Sequence, residues 1–142
     1  MKKMLVLVFL LLPLVMPLFF PSGSADAQIA KEKPLMTRVL PNISGEEGLI
    51  ETVVLSPGEV VPAHRHNADV FAYVLEGSIV TQLEGHKSQI VHAGEAFYES
   101  PEDVHSLTRN ASGTRPARLL VFFVKKIGAP ATVAVTTENT AR

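Results

Sequence analysis

From Thr37 onward the chain is a succession of short apolar or alternating runs, each closed by turn-forming residues. The runs are Thr37–Leu40, Leu49–Leu55, Val60–His66, Val70–Leu75, Ile79–Leu83, Ser88–Val91, Ala96–Glu99, His105–Thr108 and Arg118–Val124. The breaks between them include Ser44-Gly45, Ser56-Pro57-Gly58, Glu76-Gly77, Glu84-Gly85, Ala93-Gly94, Ser100-Pro101 and Ser112-Gly113. Runs at roughly 8–12-residue spacing predict an all-β fold, an antiparallel sandwich or barrel. Glu76-Gly77 reads as the clearest hairpin turn, which would set Gln82 opposite Phe71. Thr132–Val135 reads either as one more edge strand or as part of a loose tail.

The N-terminus follows a different pattern. Met1-Lys2-Lys3 is a positive head, and Met4 to Phe20 is apolar apart from Pro13 and Pro17. Ala25-Asp26-Ala27 then supplies the small-residue pattern that a signal peptidase reads, so cleavage is expected before Gln28. The alternative is an uncleaved anchor. About 17 apolar residues is near the lower limit for a ~30 Å hydrocarbon core, and the prolines weaken a continuous helix. The organisation expected is a signal peptide (1–27), an N-terminal arm (28–36), a β-barrel domain (37–126) and a C-terminal tail (127–142). The leader is bacterial in style and implies a periplasmic or secreted protein, with no stable membrane anchor once it is removed.

Composition narrows the function classes. The 142 residues are 46% hydrophobic and 19% charged, which is globular, and the length suits one domain. The net charge of −1 becomes −2 once Lys2, Lys3 and Asp26 leave with the leader. Nucleic-acid binding needs a basic face, so none is expected. There is no cysteine, hence no disulfide, thiolate metal site or cysteine nucleophile.

The chemistry lies in five histidines: His64, His66, His86, His92 and His105. In a strand, positions i and i+2 face one way, so His64 and His66 present both imidazoles to one side. His105 begins a later run, and long-range pairing would bring in a third nitrogen. Three histidines with open positions suit a divalent ion such as Zn, Fe, Mn or Ni. A His-x-His pair in a strand is, taken alone, more often surface decoration than a metal site. His86 and His92 lie at turns and read as solvated. Tyr98 and Glu99 are candidates to line the barrel, where a buried Glu99 beside a metal could serve as general base, but a strand-end glutamate is more often exposed.

Two segments carry a family resemblance. Pro57-Gly58, five residues, His64-Arg65-His66 and then Tyr73-Val74-Leu75-Glu76-Gly77 resemble the first motif of the cupins. Ala93-Gly94-Glu95-Ala96-Phe97-Tyr98-Glu99-Ser100-Pro101, then His105 and Asn110, resemble the second. The resemblance runs from about Leu49 to Val124. It implies an antiparallel double-stranded β-helix, or jelly-roll, barrel that is usually dimeric and holds a metal or small ligand. It assigns His64, His66 and His105 as metal ligands.

Two departures qualify it. The family's first-motif glutamate falls at Val70, and Asp69 beside it faces the other way without a bulge. In the second motif, Ser100 and Glu102 replace a usual proline and glycine, and Asn110 is one residue late. The expected function is therefore that of an exported metal-binding cupin resembling the quercetin dioxygenases. It would act as an oxygenase or isomerase of a small organic molecule at a three-histidine site, with Phe71, Tyr73, Phe97 and Phe122 as candidate walls. The alternative is a non-catalytic, small-molecule-binding or dimeric structural cupin that has lost its metal.

Overall fold

The computed structural model describes residues 31–135. The leader, its cleavage point, the first residues of the arm and the end of the tail lie outside them. The described chain forms eleven strands: β1 (Lys31–Val39), β2 (Glu46–Leu55), β3 (Val60–Val61), β4 (His64–His66), β5 (Ala68–Glu76), β6 (Ser78–Leu83), β7 (Gln89–His92), β8 (Ala96–Glu99), β9 (Val104–Asn110), β10 (Ala117–Lys126) and β11 (Thr132–Ala134). They make two facing antiparallel sheets. One runs β1-β2-β10-β5-β8; the other runs β11-β4-β9-β6-β7, with β3 also paired to β9. This is the expected single jelly-roll barrel.

The period-2 pattern decides which side of each strand faces in. On β5 the buried side chains are Ala68, Val70, Ala72 and Val74; on β10 they are Ala117, Leu119, Val121, Phe123 and Lys125. These strands pair with each other, so their inner faces form one wall. Leu55, Ile79 and Val91 extend the core. Each fully buried aliphatic or aromatic side chain contributes about 1.5–3 kcal/mol. Near one end of β2 and β10, Glu47 and Lys125 form a buried ion pair, and Lys125 also donates to the Ala129 carbonyl.

Three sequence expectations change in detail. The polar arm joins the sheet from Lys31, as an exposed edge strand along β2 with an irregularity between Pro34 and Met36. Proline has no N–H to donate, and an edge strand tolerates it. The run Val60–His66 is split at Pro62-Ala63 for the same reason. Glu76-Gly77 does not close a hairpin: β5 lies in the first sheet and β6 in the second, so the chain turns a corner between sheets. Gly77 makes this possible with φ of 76°, and a Cβ there would sit 2.8 Å from the Pro116 carbonyl oxygen. Gln82 consequently lies opposite Leu107 on β9, not Phe71.

Candidate functional site

The three predicted histidines come together inside the barrel. His64 and His66 share a face of β4, and His64 is the direct partner of His105 across the β4–β9 ladder. The ring centroids are 5.0 Å apart for His64–His66, 5.1 Å for His64–His105 and 5.8 Å for His66–His105. All three line a cavity of about 400 Å³ between the sheets, near the lower end of the ~300–1,000 Å³ range of ligand sites. His86 and His92 are exposed and lie outside it; the His92 Nδ1 is 3.0 Å from the Ser78 hydroxyl.

Each ring is held through Nδ1. His64 donates to the Pro62 carbonyl at 2.8 Å, which only accepts, so its Nε2 carries the lone pair. His66 Nδ1 lies 3.2 Å from the Thr132 hydroxyl. His105 Nδ1 lies 3.2 Å from Thr108 Oγ1 and 3.4 Å from Thr81 Oγ1. Holding one ring nitrogen while freeing the other is how proteins orient imidazole ligands. Burial lowers the His64 pKa, with His66 and His105 adding to that against the Pro62 carbonyl and Glu99, so the ring is kept neutral.

A carboxylate completes the cluster. Glu99 is 5% exposed, and its Oε2 lies 3.1 Å from His66 Nε2 and 2.9 Å from His105 Nε2. The distances are those of hydrogen bonds, but the directions are not: Glu99 Oε2 and His105 Nε2 are both buried without an aligned partner. Burial pushes the Glu99 pKa up, and the close approach of His105 and His66 outweighs it, holding the carboxyl at about 2. Among the described residues no group of three or more His, Cys, Asp or Glu is disposed as a ready-made metal cage. In the described conformation His66 and His105 close onto Glu99 instead.

Glu99 is also the ladder partner of Val70. The family position of the first-motif carboxylate thus faces the cavity as valine, and the neighbouring strand brings a carboxylate to the same place. Position 69 points outward, where Asp69 accepts a hydrogen bond from the Tyr98 hydroxyl. The sequence did carry a signal for Glu99: it shares the inward phase of Phe97, two residues earlier. A second acid, not among the sequence candidates, faces inward as well. Glu51 shares the phase of Val53 and Leu55 and also lines the cavity. Of the four aromatic residues expected as walls, Phe97 lines the cavity, whereas Phe71 and Tyr73 are exposed and Phe71 stacks with Phe122. Tyr98 is exposed as well.

Comparison with known proteins places this geometry in context. The cupin domain family matches residues 51–123. No curated protein matches the chain. Among solved structures, a DMSP lyase from Ruegeria pomeroyi is similar with a TM-score of 0.64 and 22% identity, covering 82% of this chain and 56% of that one. An oxalate oxidase in complex with glycolate gives a TM-score of 0.52 and 26% identity over 61% of this chain and 45% of that one. A cupin-like protein from Thermotoga maritima gives a TM-score of 0.57 and 18% identity over 73% of this chain and 74% of that one. The chain spans about half the length of the lyase and the oxidase. At 22% and 18% identity, the likeness to the lyase and the Thermotoga protein is one of fold.

Proposed function

Because the chain belongs to the cupin family, with residues 51–123 matching the cupin domain, we propose that it is a metal-binding cupin acting on a small organic molecule inside its barrel. His64, His66, His105 and Glu99 are the proposed ligands of one divalent ion. The carrying observation is the unaligned approach of Glu99 Oε2 to the Nε2 atoms of His66 and His105. Ligands ~2.1 Å from a common ion and at right angles to each other lie about 3 Å apart. The observed separations of 2.9 and 3.1 Å suit that spacing. A buried carboxylate oxygen this close to two imidazole nitrogens, with no aligned hydrogen bond to either, suits a shared cation held between the three atoms.

Three imidazoles and one carboxylate suit Zn, Fe, Mn or Ni. Such an ion, when bound, polarises a substrate oxygen or activates O₂ for an oxygenase or isomerase reaction. The chain's own part is to orient the rings through Pro62, Thr132, Thr81 and Thr108. Val53, Leu55, Val121 and Phe97 present an apolar wall to the ligand and limit water. The fold is shared with lyases and oxidases, but chemistry resides in the site and not in the fold. We further propose export to the periplasm or beyond, on the strength of the leader sequence, and a homodimer in solution. No helix among the described residues is long and apolar enough to cross a membrane.

A competing reading is a non-catalytic binding barrel, favoured by the lack of a ready-made cage among the described residues. Elemental analysis decides between them. The metal cupin is expected to carry about one ion per chain, lost in His64→Ala, His105→Ala and Glu99→Gln. Wild-type protein that holds no metal, even after reconstitution with each of the four ions, would establish the binding barrel instead.

A further inference from the structure

The cavity has a second buried acid besides Glu99, on another strand. Glu51 lies on β2 in the same sheet as Glu99, with β10 and β5 between their strands. It is 5% exposed and lines the cavity. Its carboxyl is acted on by burial first, then by repulsion from Glu32 and attraction from His66, with no hydrogen bond among the influences on it. Glu32 is exposed, pairs with Val53 across the β1–β2 ladder, and also lines the cavity. A mostly buried carboxyl with no hydrogen-bond partner among the described residues is unfavourable unless water or a ligand entering the cavity supplies a donor.

The rest of the lining sharpens this. Among the described residues it contains three histidines, three threonines and three glutamates, and neither lysine nor arginine. The one buried lysine among the described residues, Lys125, is committed to Glu47 and the Ala129 carbonyl. Among the described residues a carboxylate ligand would therefore find no cationic side chain away from the metal cluster. It would instead meet Glu51 and Glu32 in a partly desolvated space, where like charges repel strongly. An ammonium or hydroxyl group would satisfy Glu51, and an apolar body would lie along Val53, Leu55 and Val121.

We propose that Glu51 selects the ligand of this barrel, admitting a small cationic or neutral molecule that donates a hydrogen bond to it and excluding carboxylates. This rests on the reading of the cavity as the ligand chamber. Glu51 is a binding and specificity-determining residue of this chamber.

Three probes of one size test this: benzylammonium, benzyl alcohol and benzoate. Their binding is measured by calorimetry at pH 8 on the purified full chain, both chelator-treated and Zn²⁺-loaded. In the metal-free barrel, benzylammonium and benzyl alcohol should bind and benzoate should be at least tenfold weaker. Glu51→Gln should weaken benzylammonium at least tenfold, leave the alcohol within a few-fold, and strengthen benzoate. Glu51→Asp, which keeps the charge, should preserve the order of preference. Benzoate binding as tightly as benzylammonium to the metal-free wild type would overturn the assignment. So would an unchanged order in Glu51→Gln, or the binding of none of the three. Metal content of the same samples judges the metal site separately: charge selection in a barrel that takes up no metal leaves Glu51 standing and overturns only the metal cluster.

Discussion

Val70 and Glu99 face each other across the β5–β8 ladder, and both side chains line the barrel cavity. A ligand position can therefore move between strands without moving in space. Cross-strand partners have Cβ atoms only about 4.5–5.5 Å apart, so a carboxylate on either strand reaches the same centre.

The first prediction exchanges the two. Val70→Glu alone adds a second buried carboxylate beside Glu99, which should lower the melting temperature in the metal-free protein and be offset by Mn²⁺, Fe²⁺, Ni²⁺ or Zn²⁺. The double variant Val70→Glu/Glu99→Val restores a single carboxylate and should recover about one metal per chain, where Glu99→Val alone should bind none. Metal content after reconstitution reads this directly. A double variant as empty as Glu99→Val would show that the two positions do not serve one centre.

Glu51 predicts a pH dependence. Burial, with repulsion from Glu32, raises its pKa from 4.5 to about 7 against the pull of His66. The folded protein then binds the proton more tightly than the unfolded chain. Its contribution is fully present below pH 4.5 and is lost as the pH rises through about 7. Linkage sets a ceiling of ~3 kcal/mol, and contact with cavity water reduces this to about 1–2 kcal/mol. Urea midpoints at pH 5 and pH 8 should fall more for the wild type than for Glu51→Gln, a difference in which the other titrating groups cancel.

Asn110 ties three segments together from a buried position, 1% exposed. Its Nδ2 lies 3.2 Å from the Leu55 carbonyl, 3.0 Å from that of Ser56 and 2.7 Å from that of Arg115, and its Oδ1 accepts from the Ser112 amide at 2.9 Å. Asn110→Ala should cost about 2–4 kcal/mol in chemical denaturation, because buried carbonyls lose their donor. Asn110→Asp should be no better, since it sets an acceptor against three acceptors. A loss below about 1 kcal/mol in Asn110→Ala would mean that water replaces the amide.

Gly77 and Gly85 share a φ of 76° but differ in surroundings. A Cβ at Gly77 would meet the Pro116 carbonyl oxygen at 2.8 Å and Ala117 Cα at 3.1 Å, whereas one at Gly85 would meet nothing within 4 Å. Gly85→Ala should cost only the left-handed backbone penalty, about 1–2 kcal/mol. Gly77→Ala adds the backbone clash and should cost at least twice as much. Equal losses in thermal melts of the two variants would show that the corner between the sheets yields easily.

The amino-acid sequence by itself determined most of the strands and the histidine pair on β4, but not which face of β5 and β10 lines the cavity, since Phe71, Tyr73 and Phe122 lie on the opposite side from the inward Val70, Ala72 and Val121. Those properties are local: a period of two puts alternate residues on one face, and Gly, Pro and Ser mark where a strand can no longer continue. It also carried the motif spacing that identified the barrel, because that spacing is a property of chain length between corners. Only the tertiary structure decided which strands pair. Glu76-Gly77 has the composition of a hairpin turn, and nothing local distinguishes a hairpin from a corner; the difference lies in β5 pairing with β8 and β10, and β6 with β7 and β9. For the same reason Glu99 read as a strand end more often exposed than buried, and Glu51 was not a candidate. Their burial follows from what stands opposite, Val70 on a strand that begins 31 positions earlier for Glu99 and Val121 on the last long strand for Glu51. Alternation tells a side chain which way to point, but the free energy of bringing distant strands together decides what it points at.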